Sequence, residues 1–110
     1  MDASWIYVTA KSGEEAESIA RALVEQRLVA CANVLGEIGS IYRWDGEIRS
    51  ESEVAFIVKT RASLVEQVVA RITEMHSYSC PCVVALPIEG GNLDYLEWIQ
   101  AETRDLAAAE

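Results

Sequence analysis

The histidine and two of the three cysteines of this 110-residue chain fall in one short stretch, His76-Ser-Tyr-Ser-Cys80-Pro-Cys82. Thiolates and a neutral imidazole are soft donors, so their proximity points to Cu(I), Zn(II) or Hg(II) rather than to Mg(II) or Ca(II). On an extended backbone Cys80 and Cys82 lie on one face, about 6–7 Å apart along the chain. A bend at Pro81 would narrow that gap toward what two ligands, each ~2.3 Å from one ion, require. His76, at a helix end four residues earlier, can be folded back by the loop. The same residues admit two other readings. Cysteine packs readily as a small buried residue, with His76 as a hydrogen-bonded helix terminus, and a Cys80–Cys82 disulfide is accessible but strained. Cys31 sits between two alanines in an apolar run. It joins a metal site only if the fold brings it to the others, and otherwise it packs.

A second set of residues could line a cleft for a small ligand: Tyr42, Trp44, Tyr78 and Trp98 as aromatic walls and Lys59 as a cation, with Glu51 and Glu53 as carboxylates. Cleft walls built from adjacent chains are a usual setting for such pockets. The competing reading makes Tyr42 and Trp44 interface anchors and pairs Lys59 with an acid. Catalysis is not expected. No G-x-S-x-G, P-loop, H-E-x-x-H or G-x-G-x-x-G motif occurs. The remaining combination, His76 with Cys80, would need an electropositive setting that an acidic chain does not supply.

Bulk charge narrows the partners. The chain carries 18 acidic against 9 basic residues, a formal net charge of −9. That argues against nucleic acid and anionic lipid as partners. No apolar stretch approaches the roughly 20 residues of a membrane span. An odd cysteine count, with no signal peptide before the first apolar run, predicts free thiols in a reducing cytoplasm. No cofactor is required, although copper or another divalent cation could bind.

Positioning these residues falls to a short series of elements within one domain, residues 1–110. Trp5 to Thr9 is aromatic and β-branched and predicts a buried first strand. Ser12-Gly-Glu-Glu15 spells a capping box, and Ala16, Ile19, Ala20, Leu23, Val24 and Leu28 give residues 13–27 an apolar helical face. Leu28 to Val34 predicts a second strand, with Gly36 and Gly39 marking a bend or bulge rather than a stop. Asp45-Gly46 suits a type I′ hairpin turn between two long extended runs. The returning run is polar over 47–53 and apolar over 54–58, so only its second half lies over the domain's own core. The first half, opposite Tyr42 and Trp44, must project as an arm or be covered by another chain, which favours an oligomer. Ser63-Leu-Val-Glu66 predicts a second capping box, for a helix whose apolar stripe runs from Leu64 to Met75. Cys82 to Ile88 predicts a strand, and Asn92 caps a third helix with Leu93, Leu96 and Trp98 or Ile99 facing inward. The last residues, 107–110, are expected to fray. This order is an α+β, ferredoxin-like βαββαβ sandwich with a long central β-hairpin and an extra C-terminal helix.

With the elements placed, "RLVACANV", "SIYRWDGEI", "SEVAFIVKT", "ALPIEGGNLDYLEWI" and the His76-x-Tyr78-x-x-Pro81 spacing resemble the CutA divalent-cation tolerance family over nearly the whole chain. The resemblance implies a tight homotrimer of ferredoxin-like subunits, with the hairpins wrapped around neighbours, and a non-enzymatic role in copper and divalent-cation tolerance. By motif position Cys31 matches the cysteine of the family's "AC-x-N" stretch, and His76 and Tyr78 match its "HPYE-x-P-E" stretch. This chain departs there: Ser77 replaces the proline, Ser79 and Cys82 replace the glutamates, and Cys80 stands at a usually apolar position. Carboxylates are exchanged for sulfurs, which favours softer ions. By fold analogy, a PII-like trimeric sensor holding a small effector between subunits is the alternative. Against it, Asp45-Gly46 leaves no room for the long mobile loop of such sensors. A bare assembly platform is the third class.

Overall fold

The computed structural model describes residues 2–105. The expected fraying of 107–110 lies outside them. Strand β1 (Ala3–Ala10) leads to helix α1 (Gly13–Glu25), then to the two long strands β2 (Cys31–Trp44) and β3 (Glu47–Arg61). A 3₁₀ turn (Ala62–Leu64) precedes α2 (Val65–Met75), and β4 (Val83–Ile88) and α3 (Leu93–Glu102) complete the chain. The four strands form one antiparallel sheet in the order β2-β3-β1-β4. This is the expected ferredoxin-like arrangement with its additional helix.

Period-two alternation sorts the sheet into two faces. Ile6 and Val8 of β1 pair with Val58 and Phe56 of β3. All four are fully buried, packed with Ile19 and Leu23 of α1 and Val68 and Ile72 of α2. Burying each such side chain stabilises the fold by about 1.5–3 kcal/mol. The opposite face carries Trp5, Tyr7, Ile57, Val84 and Leu86. Helix α3 covers only one end of it, where Leu96 and Ile99 pack on Ala3 and Ala30.

The hairpin turn falls where expected, with Asp45 at φ 51° and Gly46 at φ 78°, the left-handed pair a type I′ turn needs. Beyond Val54 the arm leaves the helices behind. The radius of gyration, 14.7 Å, exceeds the roughly 13 Å of a compact chain of this length.

Three boundaries differ from expectation. Leu28 to Ala30 is not strand: Arg27 takes a left-handed φ of 60° and the Leu28 and Val29 amides bond back to the Leu23 carbonyl. These residues are buried all the same, closing α1 onto the sheet. Gly36 does mark a bulge, with φ 106° and a register shift between Val34 and Gly36, whereas Gly39 pairs regularly with Ser52. The capping box at Ser63 and Glu66 does not form. The 3₁₀ turn places Ser63 inside the helical entry, and Leu64 occupies the N-cap without a side-chain bond. At α1 the Ser12 half of the box is made, Ser12 Oγ accepting from the Glu15 amide at 3.1 Å, while Glu15 reaches one residue further back and its Oε1 accepts from the Lys11 amide at 3.2 Å. Asn92 caps α3 by accepting from the Asp94 amide at 3.0 Å.

Candidate functional site

The segment after α2 is pinned at four points. Helix α2 ends because His76 turns to extended geometry, φ −77° and ψ 143°. Its ring is buried. Nδ1 accepts from the Tyr78 amide at 3.1 Å, which leaves the proton on Nε2 to donate to the Thr9 carbonyl at 2.7 Å. The His76 and Tyr78 rings stack with centroids 4.8 Å apart. Glu15 supplies the second point, its Oε2 accepting from the Ser77 amide at 2.9 Å. Burial alone would raise the Glu15 pKa, but the bonds from Ser77 and Lys11 outweigh it and hold the carboxyl below its ordinary value. Third, Tyr78 donates its hydroxyl to Glu53 Oε2 at 3.2 Å. Burial, and after it the Glu53 charge, push that phenol up to about 12. Fourth, the Thr9 amide donates to the Cys82 carbonyl at 3.4 Å.

Between this segment and the root of the arm runs a groove of about 550 Å³ on the sheet face away from α1 and α2. Its floor includes Tyr7 and Thr9 of β1. The arm contributes Tyr42, Trp44, Arg49, Glu51 and Glu53, and the pinned segment contributes Tyr78, Cys80 and Cys82. Both of these thiols are free and exposed. Partial burial, followed by the Glu53 charge, raises the Cys82 thiol pKa, against a lowering contact with Thr9. Desolvation and the Glu51 carboxylate likewise raise Tyr42.

The sequence-derived metal set is therefore divided. Cys80 and Cys82 share the groove. His76 has both ring nitrogens committed to backbone groups and offers neither to an ion. Cys31 pairs with Lys59 at the other end of the sheet, in the row of Trp5 and Leu86, while Cys82 sits by Thr9. The four residue steps from Trp5 to Thr9 and three strand spacings separate them, roughly 13 Å along and 14 Å across the sheet. Among the described residues no group of three or more His, Cys, Asp or Glu side chains is placed to hold a metal ion.

The expected cleft is divided too. Tyr42, Trp44 and Tyr78 meet in the groove with Glu51 and Glu53, but Lys59 and Trp98 do not reach it. They belong to a cluster under the start of α3. There Tyr95 OH lies 3.4 Å from Cys31 Sγ and accepts from Lys59 Nζ at 3.3 Å. The Lys59 cation stands 5.3 Å from the Tyr95 ring centroid, and Trp98 stacks on Tyr95 at 5.5 Å. The Cys31 contact first, then burial, raises the Tyr95 phenol.

Sequence reasoning missed Tyr7, Arg49, Glu15 and Tyr95. Tyr7 was accessible from alternation in β1, which sets it opposite Ile6 and Val8. Nothing local announces the bond from Glu15 to Ser77, 62 residues away.

Residues 4–102 match the family model described as CutA1 divalent ion tolerance protein. A divalent-cation tolerance protein CutA from Archaeoglobus fulgidus is 46% identical over 96 residues, covering 87% of this chain and 93% of that one. A chloroplastic CutA protein of Arabidopsis thaliana is 41% identical over 100 residues, which are 91% of this chain and 55% of the relative. The chain thus spans about half the length of its plant and human relatives. In structure it is similar to CutA1 from Oryza sativa, with a TM-score of 0.92, 37% identity and 96% of each chain covered. Matched over nearly its whole length in sequence and in fold, this chain belongs to the CutA1 divalent ion tolerance protein family.

Proposed function

We propose that the chain acts as a non-enzymatic homotrimer that binds divalent or soft cations, copper first among them, and takes part in metal-ion tolerance in a reducing compartment such as the cytoplasm. The observation that carries this reading is the groove, which Cys80, Cys82, Glu51 and Glu53 line beside an uncovered apolar sheet face. Sulfur donors on one wall and carboxylates on the other suit cations, and the adjoining face suits a second and third copy of the chain. The relatives' names, divalent-cation tolerance proteins, point the same way. Calorimetric titration of the reduced protein with Cu(II) and Zn(II), run beside sedimentation equilibrium, tests both halves. Saturable binding by a trimer is expected; a stable monomer ends the reading, and no heat with either ion ends its divalent-cation part.

The size of the groove favours one alternative. About 550 Å³ exceeds what a bare ion fills and lies within the range of small-molecule pockets, roughly 300–1,000 Å³. A PII-like sensor would place an organic effector against Tyr42, Trp44 and Tyr78. A thermal-shift screen in which metabolites raise the melting temperature and metals do not would select it.

A further inference from the structure

Resting on that cation-binding reading, we propose that Cys80 and Cys82 alone, as a two-thiolate clamp, hold one two-coordinate monovalent d10 cation of the Cu(I) and Ag(I) class at the edge of the groove. Both thiols are free, exposed and turned to the same groove, with Pro81 between them. Their i, i+2 spacing sets the backbone positions about 6.6 Å apart. A linear S–M–S unit with bonds near ~2.3 Å spans about 4.6 Å between sulfurs. Two cysteine side chains leaning toward each other across an extended spacing of that order span such a distance. A disulfide demands sulfurs about 2 Å apart at the wide limit of the Cα range. A tetrahedral ion demands two further ligands. The described residues do not supply them: His76 is committed to Thr9 and Tyr78, Cys31 lies at the far end of the sheet, and Glu51 and Glu53, which line the same groove, complete no ligand trio with the thiols. Two thiolates without further ligands disfavour tetrahedral Zn(II) and suit linear d10 ions, of which Cu(I) and Ag(I) are the monovalent members.

The clamp is also preorganised. Glu15 holds Ser77, His76 holds Thr9, Tyr78 holds Glu53 and Thr9 holds Cys82, so the backbone on both sides of the pair is fixed before any ion arrives. Binding exchanges protons for metal: two thiols and one M(I) give an anionic bis-thiolate complex and two protons. Arg49 lines the same groove, but Glu51 and Glu53 line it too, so its charged side chains do not neutralise the complex.

The test uses the reduced full chain under anaerobic conditions, with Ag(I) as a redox-inert probe and Cu(I) delivered from a chromogenic chelator. One equivalent per chain is expected. Cys80→Ser or Cys82→Ser should each weaken binding roughly 100-fold or more, the double variant should not compete with the chelator, and Cys31→Ser should bind as the parent does. Circular dichroism checks that the exposed serine variants remain folded. Parent-like affinity in the double variant, or its loss in Cys31→Ser, overturns the clamp. Zn(II) and Cu(II) binding with no Ag(I) or Cu(I) binding also overturns it while leaving the broader reading intact. Ag(I) and Cu(I) binding without Zn(II) or Cu(II) supports the clamp and restricts the broader reading to soft monovalent ions.

Discussion

His76 and Cys82 look alike in the sequence as candidate ligands, and the fold gives them opposite roles. The imidazole is spent on two backbone groups, one of them 67 residues away, while the thiol remains free. Residue type and spacing were legible; the commitment of each nitrogen was not, because it depends on where β1 passes the end of α2. Glu53 shows how such placement sets chemistry. Its carboxylate accepts from Tyr78 and, added to burial, holds that phenol near 12, above its ordinary value of 10. In Glu53→Gln the Tyr78 titration should fall back toward 10, read by ultraviolet difference titration against a Tyr78→Phe reference. An unchanged value would assign the whole shift to burial. The stability consequence has a definite sign. Between pH 10 and 12 the unfolded chain releases the Tyr78 proton and the folded chain keeps it, so this group's contribution is complete below 10 and is lost as pH rises through 12. Alkaline unfolding should consequently be shallower in Tyr78→Phe over that window.

At the scale of elements, local chemistry was readable and handedness of exposure was not. Asp45-Gly46 announces its own turn, and Ser12 its own cap. The two capping boxes nevertheless part company, since Ser12 bonds the Glu15 amide whereas Ser63 sits within a 3₁₀ entry and caps nothing. Ser12→Ala should cost about 1 kcal/mol in denaturant unfolding. Ser63→Ala should be near neutral, and equal losses would contradict the helix entry described here. The bulge has the larger effect. Before it, odd-numbered residues of β2 such as Cys31 and Asn33 share the face of Tyr7; after it, even-numbered ones do, which brings Tyr42 and Trp44 to the groove. Without the extra residue Leu35, Ile41 and Arg43 would stand there instead. The sequence marks a glycine here but cannot say that one strand gains a residue, because the count is fixed only against β3. Gly36 takes φ 106°, which side chains rarely adopt, while Gly39 does not and has open space around it. Gly36→Val should therefore destabilise by about 1–2 kcal/mol. Gly39→Val should be neutral or slightly stabilising in a strand. A reversed order in guanidinium midpoints at fixed protein concentration would place the strain elsewhere.

For the whole molecule the decisive quantity is the apolar surface left over once α1, α2 and α3 are packed. Val84 is 51% and Leu86 44% exposed on the edge strand β4, beside Tyr7 and Trp5 of β1 on the same sheet face. A β-sheet buried on one side and carrying large apolar residues on the other is a surface that seeks a partner. The acidic net charge of −9 opposes close approach of like chains, so salt should favour assembly by screening that repulsion. Both effects meet in one experiment. In the proposed homotrimer the parent should sediment at three times the 12.1 kDa chain mass, with dissociation on dilution suppressed by added salt. Val84→Asp, and still more Val84→Asp with Leu86→Asp, sets carboxylates onto the uncovered apolar face and should shift the equilibrium to monomer while the helix-side core is untouched. Since α1, α2 and their contacts with Phe56 and Val58 lie on the other face, the monomer should retain helical circular dichroism. Aspartate variants that remain trimeric would move the interface off this face; variants that lose their helical signal would mean that assembly and folding of the chain are one process.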